Sequence, residues 1–498
     1  MKQRQWTAGL IALVLMAVAG STALAAAGAT PAKPAHEELF LPDLWATFHN
    51  PAPWLSMGLD LRFRAVSGEN IYSLNDAERN HEIEYERYRF RWWTKTILSD
   101  DISFNTRLTW EFRTWDEPEY KAANTLKPFG EGNNLREFNP DEALFDWFNL
   151  SMRNIAGLPL TATIGRQDII FGVGWLVLDA TPLDGSRTLY FDAARFTYDW
   201  ADAKTKIDLI YIDQSAKSDR FLKPINDQDR AVTEQEERGA ILYVTNKSLE
   251  KTQLEGFFIY KNDNPIDGPV TNVPPSVMPP SSEIWSKRAS IYTFGGAISG
   301  TPAENWRYRA EGALQTGRKD NAAGVSQDIH AYGALTNLEY LFKDEHNCSA
   351  HIGYEYASGD DPGSEGSNQE FDLLWGEWPR YSELLIYTAT YETQPAALTN
   401  LHRANVGLKF DLNKQWTFTA DYHALWAADN TGAAIPPGIA LSDDHKFRGS
   451  LYTAWARYKF SDQLYGHIMG EIFAPDNYYV APSDDSAYFL RFNLEYVF

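Results

Sequence analysis

The chain has 498 residues, with 67 acidic side chains against 45 Lys and Arg, a formal net charge of −22 and one cysteine, Cys348. That charge argues against nucleic acid as a partner, since phosphate repels it, and a lone cysteine excludes an intrachain disulfide framework. The chain is rich in aromatics, with 17 Trp, 26 Tyr and 27 Phe, yet past its N-terminus no apolar stretch reaches the roughly 20 residues of a membrane helix.

In chain order, residues 1–25 come first. Lys2 and Arg4 precede an apolar run from Leu10 to Ala19, and Ala23 and Ala25 follow in an A-x-A arrangement. This is the pattern of a secretory signal peptide cleaved after Ala25. Loss of Lys2 and Arg4 takes the net charge from −22 to −24. The run is short for a transmembrane anchor, and no cysteine stands near the cleavage point to take a lipid. Residues 26–56 read as a periplasmic lead-in and show no heptad.

From residue 57 onward the sequence alternates at period two. "LDLRFRA" sets Leu59, Leu61 and Phe63 against Asp60, Arg62 and Arg64. "ERYRFRWWTKT" sets Tyr88, Phe90 and Trp92 against Arg87, Arg89 and Arg91. "FNTRLTWEFRTW", "WRYRAEGALQTG" and "WTFTADYHALW" repeat the pattern, which is that of a strand rather than a helix. Eighteen such segments fall near 57–66, 83–97, 102–115, 144–153, 159–168, 189–200, 205–213, 238–246, 252–261, 290–299, 305–317, 330–342, 347–358, 402–412, 415–426, 448–460, 463–474 and 487–498. "SELLIYTATYE" (382–392) reads as part of a long loop or a short helix, because a nineteenth strand breaks the even parity of single-chain bacterial barrels.

These segments are longer than the five or six residues of an ordinary strand. One face is apolar with aromatic ends, and the other carries bulky charges. That combination describes a transmembrane antiparallel β-barrel of about 18 strands in the bacterial outer membrane, apolar face to lipid, with short periplasmic turns and long external loops. Tight turns fall at 411–415 and 459–463. Long links fall at 67–82, 116–143, 214–237, 262–289, 359–401 and 427–447, and six prolines between 265 and 280 bar the fourth of these from being a strand. Acids in these loops read first as a solvated rim and second as a cation-binding or gating mouth. The final strand ends on Phe498 with an apolar period-two face. A terminal strand of this kind resembles the signal through which outer-membrane assembly machinery takes up a barrel.

Alternation turns Arg62, Arg64, Arg87, Arg89, Arg91, Arg107, Arg113, Arg195, Arg307, Arg309, Lys409, Arg457, Lys459 and Arg491 to the lumen, with Asp60, Glu111, Asp208, Glu311 and Asp421 among them. An acidic protein thus has a basic channel wall. Guanidinium forks match carboxylates and phosphates, and rings of Arg select anions. The competing reading is that these charges pair with one another to brace the wall.

Four stretches in order, "TIGRQDIIFG", "DGSRTLYFDAARFTY", "YRAEGALQTG" and "GYEYASGDDPGSEGSNQEFDLLWGEWPRYSELLIY", resemble the alginate export family of outer-membrane barrels, over residues 57–498. The resemblance implies a monomeric eighteen-stranded barrel whose arginine-rich constriction passes an anionic polysaccharide or oligosaccharide. It also implies that Arg166 of "GRQ", and Asp192 and Arg195 of "FDAARF", line the lumen.

No G-x-S-x-G, H-E-x-x-H or metal-spaced His/Cys cluster occurs, and His351, His402, His423 and His467 fall on separate strands. The expectation is a passive channel, not an enzyme, with no cofactor and no metal. Three functions compete: export of an acidic polysaccharide, uptake of sugars or small anions through a specific porin, and a structural barrel or adhesin closed by its loops.

Overall fold

The computed structural model describes residues 47–498 except 79–80, 118–137, 179–189, 217–219, 227–232, 234, 266–287, 322, 362, 365, 377–379, 389–391 and 431–438. The signal peptide, most of the lead-in and parts of the long links therefore lie outside the described residues.

Period-two patterning becomes eighteen long strands. They are β1 (Leu55–Glu69), β2 (Glu82–Ser99), β3 (Ile102–Glu117), β4 (Phe138–Met152), β5 (Leu160–Gln167), β6 (Phe191–Trp200), β7 (Thr205–Gln214), β8 (Glu236–Asn246), β9 (Thr252–Asn264), β10 (Ala289–Ala303), β11 (Trp306–Asp320), β12 (Ser326–Leu341), β13 (Ser349–Ala357), β15 (Leu401–Asp411), β16 (Trp416–Trp426), β17 (Phe447–Lys459), β18 (Leu464–Pro475) and β19 (Ala487–Val497). The two-residue β14 (Ser367–Asn368) runs parallel to β12 and is not part of the wall. Each wall strand pairs antiparallel with its neighbours, and β1 pairs with both β2 and β19, so the sheet closes on itself. Phe498 and Leu59 exchange two backbone hydrogen bonds of 2.6 and 2.9 Å across the closing seam. Segment 382–392 contributes a short helix, Leu384–Thr388, as its loop-or-helix reading anticipates.

The outward face is a mosaic of rings clasped across strands. Tyr88 touches both Phe63 and Phe112 (5.3 and 4.8 Å between centroids), Phe410 stacks on Phe418 at 5.2 Å, and Tyr458 lies between Trp416 and Phe460. Such cross-strand pairs add about 0.5–1.5 kcal/mol each beyond area burial.

The largest apolar cluster is in the lumen, toward the long-loop end. Inward residues there are Val66, Ile83, Tyr85, Ile210, Ile241, Ile291, Ile329 and Phe489, all buried. Two loops fold in to cover them. Segment 168–178, between β5 and β6, and segment 358–400, between β13 and β15, join through a parallel bridge of Val177 and Trp375. Leu178 N–H donates to the Trp375 carbonyl (2.8 Å) and Trp375 N–H to that of Leu176 (3.1 Å). Trp175 stacks on Phe371 at 5.4 Å. Gly172, at φ +58°, touches the wall so closely that a Cβ there would run into the Arg309 guanidinium.

Candidate pore lining and constriction

Four adjacent strands, β19, β1, β2 and β3, carry the arginines that alternation turned inward. They are Arg491, Arg62, Arg64, Arg87, Arg89, Arg91, Arg107 and Arg113, none more than 6% exposed. Register decides their neighbours. Arg64 stands opposite Arg87, Arg87 opposite Arg113, and Arg62 opposite Arg89. Like charges directly opposed across a ladder destabilise a sheet. Three such pairs side by side work against folding.

Acids enter this field sparingly. Glu111 bonds Arg87 and lies 3.3 Å from Arg62. Arg89 approaches Asp60 at 3.5 Å and Glu495 at 3.8 Å. Arg107 takes both oxygens of Asp146 at 2.8 Å, reaches Asp168 at 3.1 Å and stacks on Trp147 at 4.0 Å. Asp146 reaches Arg107 because β4 bulges there. Trp147 pairs with Arg107 and Phe145 with Leu108, which leaves Asp146 unopposed. The bulge breaks the alternation, and β4 accordingly starts at Phe138 rather than at the predicted 144.

The facing wall is built differently. There the charges alternate in sign. Glu355 sits between Arg380 (2.5 Å) and Arg403 (2.8 Å). Arg309 sits between Glu255 (2.7 Å) and Glu311 (2.6 Å). Lys261 lies 3.1 Å from Glu237 and 3.2 Å from Asp263. His351 lies 2.7 Å from Asp421. Arg195 is held by Asp208 at 2.8 Å. The bracing read as a competitor on sequence thus describes Arg195, Arg309, Glu311 and Asp421, while the β19–β3 wall concentrates one sign. Glu355, Arg380, Arg403 and Lys261 are absent from the sequence-based set. Arg403 shares the inward phase of Lys409, the one signal that pointed to it.

Four sequence-assigned residues have the inward phase but lie at the short-turn end, among them Lys459, exposed and 2.5 Å from Asp462. Lys409 is exposed. Arg307 is exposed and 3.6 Å from Glu339, and Arg457 donates to Thr419 (3.0 Å) over the Trp455 ring. They border the mouth, not the arginine field. Arg166 and Asp192 correct the lumen assignment. Arg166 is in register with Phe148 and Asp192, in the phase of the exposed Ile164 and Phe196. The pair, 3.1 Å apart, therefore belongs to the outward set. The phase of β5 and β6 differs from the one their resemblance implied.

Below the arginine field the lumen holds a polar cavity of about 430 Å³. Asn105, Trp147, Asn149, Thr161, Thr163 and Gln167 line it, with Asp168, Arg195 and Lys206 as its charged members. Amides, hydroxyls and one indole face are groups that suit a sugar's hydroxyls and its apolar ring face.

The loop core is tied to the wall by buried polar bonds. Glu471 of β18 accepts from the Ser382 hydroxyl (2.6 Å) and from the backbone N–H groups of Glu383 and Leu384 (3.0 Å each). Arg491 reaches Glu383 at 3.0 Å. Arg448 meets Glu392 at 2.9 Å, both side chains fully buried, and donates to the Asn400 carbonyl at 2.7 Å. Tyr479 also donates to Glu392, and Tyr85 and Tyr387 share a 2.6 Å bond. Burial pushes the loop hydroxyls of Tyr381, Tyr387 and Tyr479 above the ordinary phenol range. Among the described residues no cluster of His, Cys, Asp and Glu has the grouping of a metal site.

A family model described as alginate export matches residues 53–475. Among solved structures the chain is similar to Pseudomonas aeruginosa OccK9 (OpdG), at 11% identity and TM-score 0.54, and to Acinetobacter baumannii OccAB2, at 12% and 0.53. A BenF-like porin from Pseudomonas fluorescens Pf-5 stands at 11% and 0.53. Each match covers 89% of this chain and 98% of the other. At such identity the likeness is one of fold. No curated protein sequence matches.

Proposed function

The chain belongs to the alginate export family, an outer-membrane channel by family and fold, and from that premise we propose that it conducts an anionic polysaccharide, alginate-like in charge, along the β19–β3 wall. The observation that carries this reading is the run of like-charged cross-strand pairs, Arg64–Arg87, Arg87–Arg113 and Arg62–Arg89. A sheet under selection for stability alone would place opposite charges there. A polyuronate carries a carboxylate on each sugar, so several guanidinium groups can share one passing chain. A conduit must release as readily as it binds, which is met when a passing chain is shared among several guanidinium groups instead of being held by one. The polar cavity beside Trp147 supports a saccharide rather than a simple inorganic anion.

The test is the reversal potential of the purified barrel in planar bilayers, followed by block with oligouronates and with neutral oligosaccharides of equal length. Anion selectivity and preferential block by the oligouronate are expected. Replacing Arg87, Arg89 and Arg91 together by Ser should reduce both several-fold. A cation-selective wild type sinks the proposal.

Uptake of sugars or small anions is the second reading. It is favoured by the two loops that occupy the lumen, since these suit a short solute. It predicts block by a monouronate as strong as that by a longer chain.

A further inference from the structure

The barrel wall is weakest between β4 and β5. Their ladder holds five residue pairs, Phe148–Met152 against Ala162–Arg166. The next shortest seams among the described residues hold eight. β5 stops at Gln167, whereas β4 reaches on toward the long-loop end as far as Phe138. Gly165 lies in the short ladder at φ +118°, where a Cβ would overlap the Phe148 carbonyl. Past the end of β5, the edge of β4 is taken up by the link between β7 and β8. Ile225 N–H donates to the Ala143 carbonyl (2.8 Å), and the Asn226 side chain accepts from Ala143 N–H (3.0 Å).

In the angle between that link and β5–β7 lies a cavity of about 380 Å³, on the outward side of the wall. Phe148, Ile164, Ala194, Tyr211, Phe221 and Leu222 line it. Its size is within the roughly 300–1,000 Å³ of small-ligand sites. The Arg166–Asp192 pair forms its polar end, with Arg166 stacked on Tyr190 at 4.1 Å.

The link carries its own signature. Phe221 and Ile225 are 60% and 62% exposed, among the most exposed large apolar side chains of the molecule. Arg220 and Lys223 flank Phe221 and Leu222 at the surface. Apolar side chains beside cations suit the boundary between hydrocarbon and headgroup, not open water. The link is at the long-loop end, which faces the outer leaflet.

We propose that this cavity binds one acyl chain of a phosphate-bearing lipid of the outer leaflet, with the phosphate at Arg220 and Lys223. Asp213 shares Arg220 at 3.2 Å and Glu236 approaches it at 3.5 Å, which gives Lys223 the larger part in phosphate binding. The lipid seals the wall where the ladder is short, in place of the missing upper half of β5.

The test is native mass spectrometry of the full-length barrel in neutral detergent, incubated with bis-phosphorylated, hexa-acylated lipid A or with the same lipid stripped of both phosphates. One retained bis-phosphorylated lipid A per barrel is expected, with little of the dephosphorylated form. Ala194→Trp, which fills the cavity, should lower lipid A retention at least tenfold, and Arg220→Ser with Lys223→Ser several-fold. Ile164→Trp serves as a second filling variant if Ala194→Trp does not run as a heat-modifiable folded band. Equal retention by wild type and a folded filling variant overturns the site. Equal retention of the two lipids overturns the phosphate contact.

Discussion

At the scale of single residues, Glu111 has the most to do. It is a buried carboxylate in a field of guanidinium groups, bonded to Arg87 and 3.3 Å from Arg62. Its contribution is therefore opposite in sign for folding and for selectivity. Removing one partner of a buried ion pair costs about 3–5 kcal/mol. Glu111→Gln keeps the shape and removes the charge, so the barrel should lose about 3 kcal/mol, by the same argument, read as a lower temperature for conversion of the folded gel band. The same variant should become more anion-selective, because a negative charge leaves the basic wall. A variant of unchanged selectivity would show that Glu111 does not face the conducting path. Asp421, paired with His351 on the braced wall, makes the control, since its replacement disturbs a neutralised spot and should alter selectivity much less.

At the scale of elements, the loop between β13 and β15 folds into the lumen and is tied to the wall there. Its short helix begins at Leu384, and the N–H groups of Glu383 and Leu384 donate to Glu471, so a strand carboxylate holds a helix N-terminus. Glu471→Ala leaves those two N–H groups and the Ser382 hydroxyl without their acceptor in a buried site. The loop should then leave the wall part of the time, raising mean conductance and adding open–closed noise in bilayer recordings. Quiet traces of wild-type conductance would mean that Arg448, Glu392 and Tyr479 suffice to hold the loop. These elements also separate what the chain reveals in one dimension from what it does not. All eighteen wall strands were legible because a lipid-facing side chain and a lumen-facing side chain must alternate, and Leu59, Leu61, Phe63 or Tyr88, Phe90, Trp92 do so without interruption. The bulge at Asp146 was not, since an extra residue spoils the very period that marks a strand. Nor was the loop core. Trp175, Phe371 and Leu384 are apolar with no period, and only their partners across the lumen make them interior. Arg166 shows a different limit, because its lumen assignment came from resemblance alone, whereas the period it shares with Ile164 along β5 turns it outward.

At the scale of the whole molecule, two fields oppose each other. The chain carries −22 overall, while about a quarter of the wall, β19 to β3, carries eight inward arginines; Asp60, Glu111 and Glu495 on the same strands pair with some of them, and Asp146, Asp168 and Glu383 reach in from β4 and the loops. An anion approaching from bulk is repelled by the whole and attracted by the part. Screening acts on these two unequally. At about 0.1 M salt the Debye length is about 10 Å, and at 1 M about 3 Å. Exposed acids of the long links, such as Asp361, Asp443 and Asp444, face water, so modest salt removes their repulsion first. The arginines, at most 6% exposed, are screened less, because buried charges sit away from the ions that screen them. Anion selectivity, read as reversal potential under a fixed salt ratio, should therefore hold or rise slightly as mean salt climbs from about 0.01 to 0.1 M, then decline toward 1 M, a range in which the Debye length falls from about 30 to 3 Å. A steady fall from the lowest salt would mean that exposed charge at the mouth, such as Arg307, Lys409 and Arg457, sets the selectivity. The triple Ser variant of β2 separates the two cases. If the buried field governs, that variant loses the intermediate-salt plateau. If the mouth governs, it keeps the wild-type curve.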